Sequence, residues 1–168
     1  METDLSRIQE LGEQKRDENH AFRRFLKVRR HSDRTLRHLA ERIETQIDCR
    51  ACANCCRLTT TGVSARDIKR LSSFLRRSIK DVLATFTVES EDEGLILQRT
   101  NTGACVFLDG NDCTVYDARP ETCQRFPNLV RGNGSLVTRM WQFVDRAVYC
   151  PIVYHSMEAF KDALGFRR

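Results

Sequence analysis

Three observations predict an α+β fold for this chain. Leu36, Leu39, Ala40, Ile43 and Ile47 recur at helical spacing. Asp109-Gly110-Asn111-Asp112 and Asn133-Gly134 are turn signals set between short aliphatic and β-branched runs. Eight cysteines fall between positions 49 and 150, four of them inside CRACANCCR (49–57). The expected architecture is a small cysteine-cluster domain with short hairpins, preceded by amphipathic helices.

Residues 1–48 contain no proline and one glycine, Gly12. The spacing predicts an amphipathic helix ending this segment and running into Cys49. Leu5, Ile8 and Leu11, then Phe22, Phe25 and Leu26, predict one or two helices ahead of it. Arg23, Lys27, Arg30, Arg34 and Arg37 advance by four and three alternately, so one helix would line them along one face. Such a face is a solvated surface or an anion-facing stripe for an acidic protein or nucleic-acid partner.

LTTTGV (58–63) reads as extended. Ser64 with Asp67, and Ser78 with Asp81, are helix N-terminal caps. They open apolar patterns at Ile68, Leu71, Phe74 and Leu75, and at Val82, Leu83 and Phe86. LILQR (95–99) reads as a strand. ACVFL and CTVY read as two short strands that put Cys105 and Cys113 on the arms of a hairpin. Asn133-Gly134 predicts another, with Leu129-Val130 facing Leu136-Val137. A last helix is expected from about Ser156 to Leu164, stopped at Gly165.

The opening METDLSRIQELGEQKRDENH lacks the basic head and apolar run of a secretory signal. No stretch reaches the roughly 18 apolar residues of a membrane span. A reducing, cytoplasmic location is therefore expected, where clustered thiols bind metal or do redox chemistry more often than they form disulfides. Adjacent Cys55 and Cys56 also pair poorly by geometry.

A Cys-x-x-Cys turn can aim two sulfurs at one point. Here Cys49, Cys52 and Cys55 double that spacing, Cys56 follows directly, and Cys105, Cys113, Cys123 and Cys150 lie downstream. Eight thiolates can close two tetrahedral sites, which suits structural zinc. The Cys-x-x-Cys-x-x-Cys run with a distant Cys150-Pro151 equally echoes an iron–sulfur ligand pattern. His20, His31, His38 and His155 lie outside the dense segments, although His155 could reach a site beside Cys150. An all-sulfur set disfavours magnesium and calcium.

The formal charge is +5 with neutral thiols. Eight thiolates would remove eight charges and two divalent ions return four, leaving about +1. Net charge alone is thus weak support for nucleic-acid binding. Pro120 suits a helix start, which places Cys123 where amide dipoles stabilise a thiolate. Arg119 could donate to sulfurs or to a nearby acid, and Phe107, Tyr116, Phe126 and Pro127 would form an apolar jacket.

Cys49-x-x-Cys52-x-x-Cys55-Cys56, CVFL at 105–108, CTVYDARPETC at 113–123 and Arg125-Phe126-Pro127 together resemble the YkgJ-like cysteine-cluster family. That family is described as zinc- or iron-chelating, and flagellin lysine N-methylase carries a similar cluster. The resemblance covers about residues 49–127, with Cys150 belonging as well, and it implies metal binding by these cysteines.

The expected organisation is a helical N-terminal extension (1–48), a metal-stapled cysteine-cluster domain (49–150) and a C-terminal helix packed on it (151–168). The expected function is binding of zinc or iron, an iron–sulfur cluster included. A redox or lysine methyl-transfer enzyme with an iron–sulfur centre is the alternative. A nucleic-acid module with structural zinc is a second. No catalytic constellation stands out, and Gly132-Asn133-Gly134 is read in a hairpin context with no helix expected after it, unlike a nucleotide loop.

Overall fold

The computed structural model describes residues 1–28 and 31–167. In chain order the helices are α1 (Leu5–Gln14), α2 (Arg16–Val28), α3 (Asp33–Glu44), α4 (Cys49–Cys52), α5 (Asn54–Leu58), α6 (Ala65–Leu75), α7 (Ile79–Phe86), α8 (Glu121–Arg125), α9 (Leu136–Arg146) and α10 (Pro151–Ala163). Strands β1 (Thr87–Ser90) and β2 (Gly94–Leu97) form one antiparallel hairpin. Strands β3 (Leu108–Asp109) and β4 (Asp112–Cys113) form another, and a 3₁₀ turn follows at Tyr116–Ala118. The fold is α+β, as expected.

The chain packs as two compact units, Met1–Asp48 with Pro127–Arg168, and Cys49–Phe126. The first is a helical bundle in which α3 packs on α10, α2 on α9 and α1 on α10. Its core includes Ile8, Phe22, Leu26, Leu36, Met140, Phe143, Met157 and Phe160, all essentially without solvent exposure. Each comes from the apolar stripe of its own helix.

Several expectations are corrected in this unit. The helix approaching Cys49 stops at Glu44, because Thr45 Oγ1 and Gln46 Nε2 both donate to the Arg42 carbonyl, each at 2.9 Å, and turn the chain. The basic stripe is broken as well. Arg23 and Lys27 ride on α2, which ends at Val28, while Arg34 and Arg37 ride on α3, which Ser32 caps. Arg30 lies outside the described residues. Arg37 moreover donates to the carbonyls of Val130, Gly132 and Gly134, so it clamps a loop.

Asn133-Gly134 does not close a hairpin. Ser135 caps α9 through a bond from the Val137 N–H to its Oγ, and Leu136, Met140, Phe143, Val144 and Ala147 bury a helical stripe. The last helix begins at Pro151, earlier than expected, and Gly165 ends it in the left-handed region. His155 Nε2 is bonded to the Glu2 carbonyl at 2.7 Å.

In the second unit, α6 packs on α7, α7 on β1, and the 3₁₀ turn on α6. Its core is Ile68, Leu71, Val82, Leu97, Phe107, Val115 and Ala118, with Cys105 and Cys113 packed against it. Both predicted caps form, Ser64–Asp67 as a full capping box and Ser78 on the Asp81 N–H. LTTTGV is extended enough to pair, since Val63 donates to Leu95 and Thr61 accepts from Leu97, each at 2.9 Å. The second hairpin is shorter than expected. Only 108–109 and 112–113 are strand, because Leu108 turns back to bond the Cys105 carbonyl at 3.0 Å.

Candidate metal centre

CRACANCCR folds as two helical turns at an angle. Ala53, buried at the joint, takes the left-handed conformation (φ 48°, ψ 15°) and separates α4 from α5. Left-handed backbone costs an L-residue about 1 kcal/mol, so this bend is held by what surrounds it. Arg57 supplies part of that hold. It donates to the Cys52 carbonyl at 3.2 Å, to the Gly110 carbonyl at 2.6 Å and to Asn111 Oδ1. Asn111 Nδ2 returns a bond to the Ala51 carbonyl at 2.9 Å. The tip of the β3–β4 hairpin is thereby laced to the cysteine run.

Arg99 makes the second hold. Its guanidinium donates to the carbonyls of Thr59 and Arg57, and its backbone bridges Cys105. The Cys105 N–H donates to the Cys56 carbonyl at 2.8 Å. Cys113 enters on β4, opposite Leu108. Cys123 enters on α8, whose start is pinned by Asp67. The Glu121 N–H donates to Asp67 Oδ1 at 3.0 Å, and Arg70 donates to Asp67 and to the carbonyls of Ala118 and Arg119.

Four separate segments thus bring Cys56, Cys105, Cys113 and Cys123 into one electrostatic neighbourhood, where Cys56 bears on the other three, Cys113 on Cys105 and Cys123, and Cys105 on Cys123. Cys55 joins it by a hydrogen bond to Cys56. Cys49 on α4 is exposed and Cys52 half-buried. Cys150 lies in the helical unit, buried at the start of α10. Among the described residues no disulfide joins any of the eight. Nor do any three His, Cys, Asp or Glu side chains among them already stand in ion-holding geometry. The four thiols are neighbours, not a closed coordination shell.

The thiols differ in acidity. The bond from Cys55 and the charges of Arg57, Arg99 and Arg119 bring Cys56 down to about 7, against its burial. Burial pushes Cys105 and Cys113 up, although each accepts a backbone N–H from two residues on, Phe107 and Val115. Burial pushes Cys123 up to about 12, with the Thr61 hydroxyl 3.7 Å from its sulfur. The expected helix-dipole effect on Cys123 is therefore overridden. A five-residue helix has a small dipole, and desolvation of a buried thiolate outweighs it.

Arg119 stacks its guanidinium 3.8 Å from the Tyr116 ring centroid, and its charge falls on Cys56 and Cys113. Tyr116 is not part of an apolar jacket. It is exposed, with Arg50 also 5.1 Å from its ring centroid. Phe107 does take that role in the core. Sequence reasoning missed Asp67, Arg70, Arg57, Arg99 and Thr61 as supports. The only signal was local, such as the cap at Ser64 and the arginine next to Cys56.

The donor set fits a thiophilic metal. It is all sulfur, two donors carry peptide N–H bonds, and three guanidinium groups offset thiolate charge at Cys56. A family model described as "CxxCxxCC: Putative zinc- or iron-chelating domain" matches residues 48–151, which span all eight cysteines. The chain belongs to the CxxCxxCC family. Zinc or iron is accordingly the metal of this domain. No solved structure matches the CxxCxxCC protein. No helix among its described residues is long and apolar enough to cross a membrane.

Proposed function

We propose that Cys56, Cys105, Cys113 and Cys123 bind one zinc or iron ion as four thiolates, and that this ion staples the unit built from residues 49–126. The observation that carries the reading is the shared neighbourhood of four thiols delivered by four separate segments. A cysteine sulfur moves about a single torsion, so a change of rotamer can carry each thiol toward a shared ion. A coordinating divalent ion deprotonates a thiol outright, which reverses the effect of burial at Cys105, Cys113 and Cys123. Cys49, Cys52 and Cys55, on the two short helices of the same run, are proposed donors to a second ion or to a cluster. Cys150 stays a candidate ligand whose part the variant series below decides.

The bound ion supplies cross-linking of loops that a small core holds weakly. The chain's own residues do the rest. Arg57 and Asn111 fix the bend at Ala53, Asp67 and Arg70 fix the approach to Cys123, and the Phe107 and Val115 amides orient two sulfurs.

Elemental analysis of protein purified without oxygen, with each cysteine in turn changed to serine, tests this. Loss of the ion in Cys56→Ser, Cys105→Ser, Cys113→Ser and Cys123→Ser is expected. Full metal content in any of these four overturns the proposal. A brown protein with bound sulfide identifies an iron–sulfur centre, and a colourless one with stoichiometric zinc identifies a tetrathiolate zinc site.

A further inference from the structure

The carbonyl groups of Cys56, Arg57 and Thr59 stand at and just beyond the C-terminal end of α5, where a helix leaves its acceptors without internal partners. Each of the three is taken by a donor from one short stretch of chain. Cys56 accepts from the Cys105 N–H at 2.8 Å, and Arg57 and Thr59 accept from the two terminal nitrogens of Arg99. Arg99 and Cys105 are themselves paired across an antiparallel bridge. The result is a closed knot. Arg99 grips the end of the helix that carries Cys56, and its own backbone lies against Cys105.

We infer that Arg99 is a positioning residue for the metal, holding the Cys56 and Cys105 sulfurs in register so that both can meet one ion. The inference rests on the tetrathiolate reading above. Two further features support this role for Arg99. Its charge reaches Cys56 and Cys105 together, so it can offset negative charge on two donors at once. Its fork bonds two carbonyls simultaneously, a geometry that the single ammonium of lysine cannot reproduce. Arg57 acts one link further out, since its guanidinium serves the hairpin tip while its carbonyl is held by Arg99.

The experiment compares wild type, Arg99→Lys and Arg99→Gln, each loaded with cobalt(II) or zinc. Cobalt–thiolate charge-transfer absorption counts the sulfurs bound, chelator competition gives affinity, and circular dichroism reports folding. The expected result is a fall of about 10–100-fold in affinity for Arg99→Gln, the range typical of residues that orient ligands. The absorption should show fewer than four thiolates. Arg99→Lys keeps the charge and should be intermediate in affinity.

A merely structural role would lower thermal stability without changing the thiolate count. Should Arg99→Gln fail to fold, Arg99→Lys decides by itself. If it is folded with wild-type affinity and four bound thiolates, the assignment is overturned. Wild-type protein that takes up neither metal overturns the proposed function itself. Wild-type uptake with unchanged variants overturns only the role given to Arg99.

Discussion

The Glu121 amide donates to Asp67 Oδ1 at 3.0 Å, joining the first turns of two helices that lie 54 residues apart in the chain. The other carboxylate oxygen accepts from the Ser64 N–H at 2.9 Å and from Ser64 Oγ at 2.6 Å. One buried carboxylate therefore caps its own helix and sets the start of the helix that delivers Cys123.

Asp67→Ala should destabilise the protein by about 2–4 kcal/mol, through the lost cap and the donors left without an acceptor. Denaturant titration measures it. Burial opposes the ionised carboxyl, but the bonds from Ser64 and Glu121 and the charge of Arg70 prevail, and the pKa falls below its ordinary value. A depressed carboxylate contributes stability above its unfolded pKa, near 4, and loses it as pH falls through the lower folded value. The stability gap between wild type and Asp67→Asn should accordingly shrink below about pH 4. A gap that is constant from pH 7 to pH 3 would contradict this.

Lys161 is buried in the helical bundle, where its Nζ bonds Glu18 Oε1 at 2.8 Å and also Glu158. Lys15 supports the same carboxylate from its other side, 2.9 Å from Glu18 Oε2. Lys161→Met keeps volume but takes a partner from Glu18 and from Glu158, both partly exposed and both still near Lys15, so a loss of about 1–3 kcal/mol is expected. Combining it with Glu18→Gln and Glu158→Gln should recover much of that loss. Thermal melts of the single and triple variants check both statements, and equal melting temperatures for the two would refute the pairing.

Gly12 meets the backbone between α9 and α10 so closely that a Cβ would stand 2.6 Å from Val148 Cα and 2.7 Å from the Ala147 carbonyl oxygen. Neither contact can yield without moving main chain. Gly12→Ala should therefore cost about 1–3 kcal/mol even though alanine is the better helix former. The check is a chemical melt, in which a stabilised variant would refute a close crossing at Gly12.

What was legible in the sequence was local. Ser64 and Asp67 announced a helix start, but nothing near Asp67 could show that its second oxygen serves Glu121. Asn133-Gly134 carries the same chemistry in a hairpin as in the loop before a capped helix, and the apolar spacing from Leu136 to Ala147 is what separates the two. Arg37 sits at surface spacing, yet its partners are carbonyls nearly a hundred residues away. The family's cysteine pattern was legible because the spacing of CRACANCCR is itself local. How Cys56, Cys105, Cys113 and Cys123 come together was not, because the bonds from Arg99, Arg57 and Asp67 span the chain.

Metal removal should weaken the cysteine-rich unit far more than the helical one. The buried cluster of residues 49–126 holds seven residues with partly buried side chains packed on it, and the unit's remaining order comes from α4 to α8, turns, two short hairpins and carbonyls held by arginine side chains. So little apolar burial leaves a small domain marginal without a staple. The helical unit instead buries Phe22, Phe143, Phe160 and several large aliphatic side chains. Chelation should therefore raise amide hydrogen exchange across residues 49–126 while α2, α3, α9 and α10 stay protected. Re-addition of zinc or iron should restore protection, with the largest recovery around Cys56, Cys105, Cys113 and Cys123. Equal deprotection of both units, or none, would show that the ion does not act as the staple of residues 49–126.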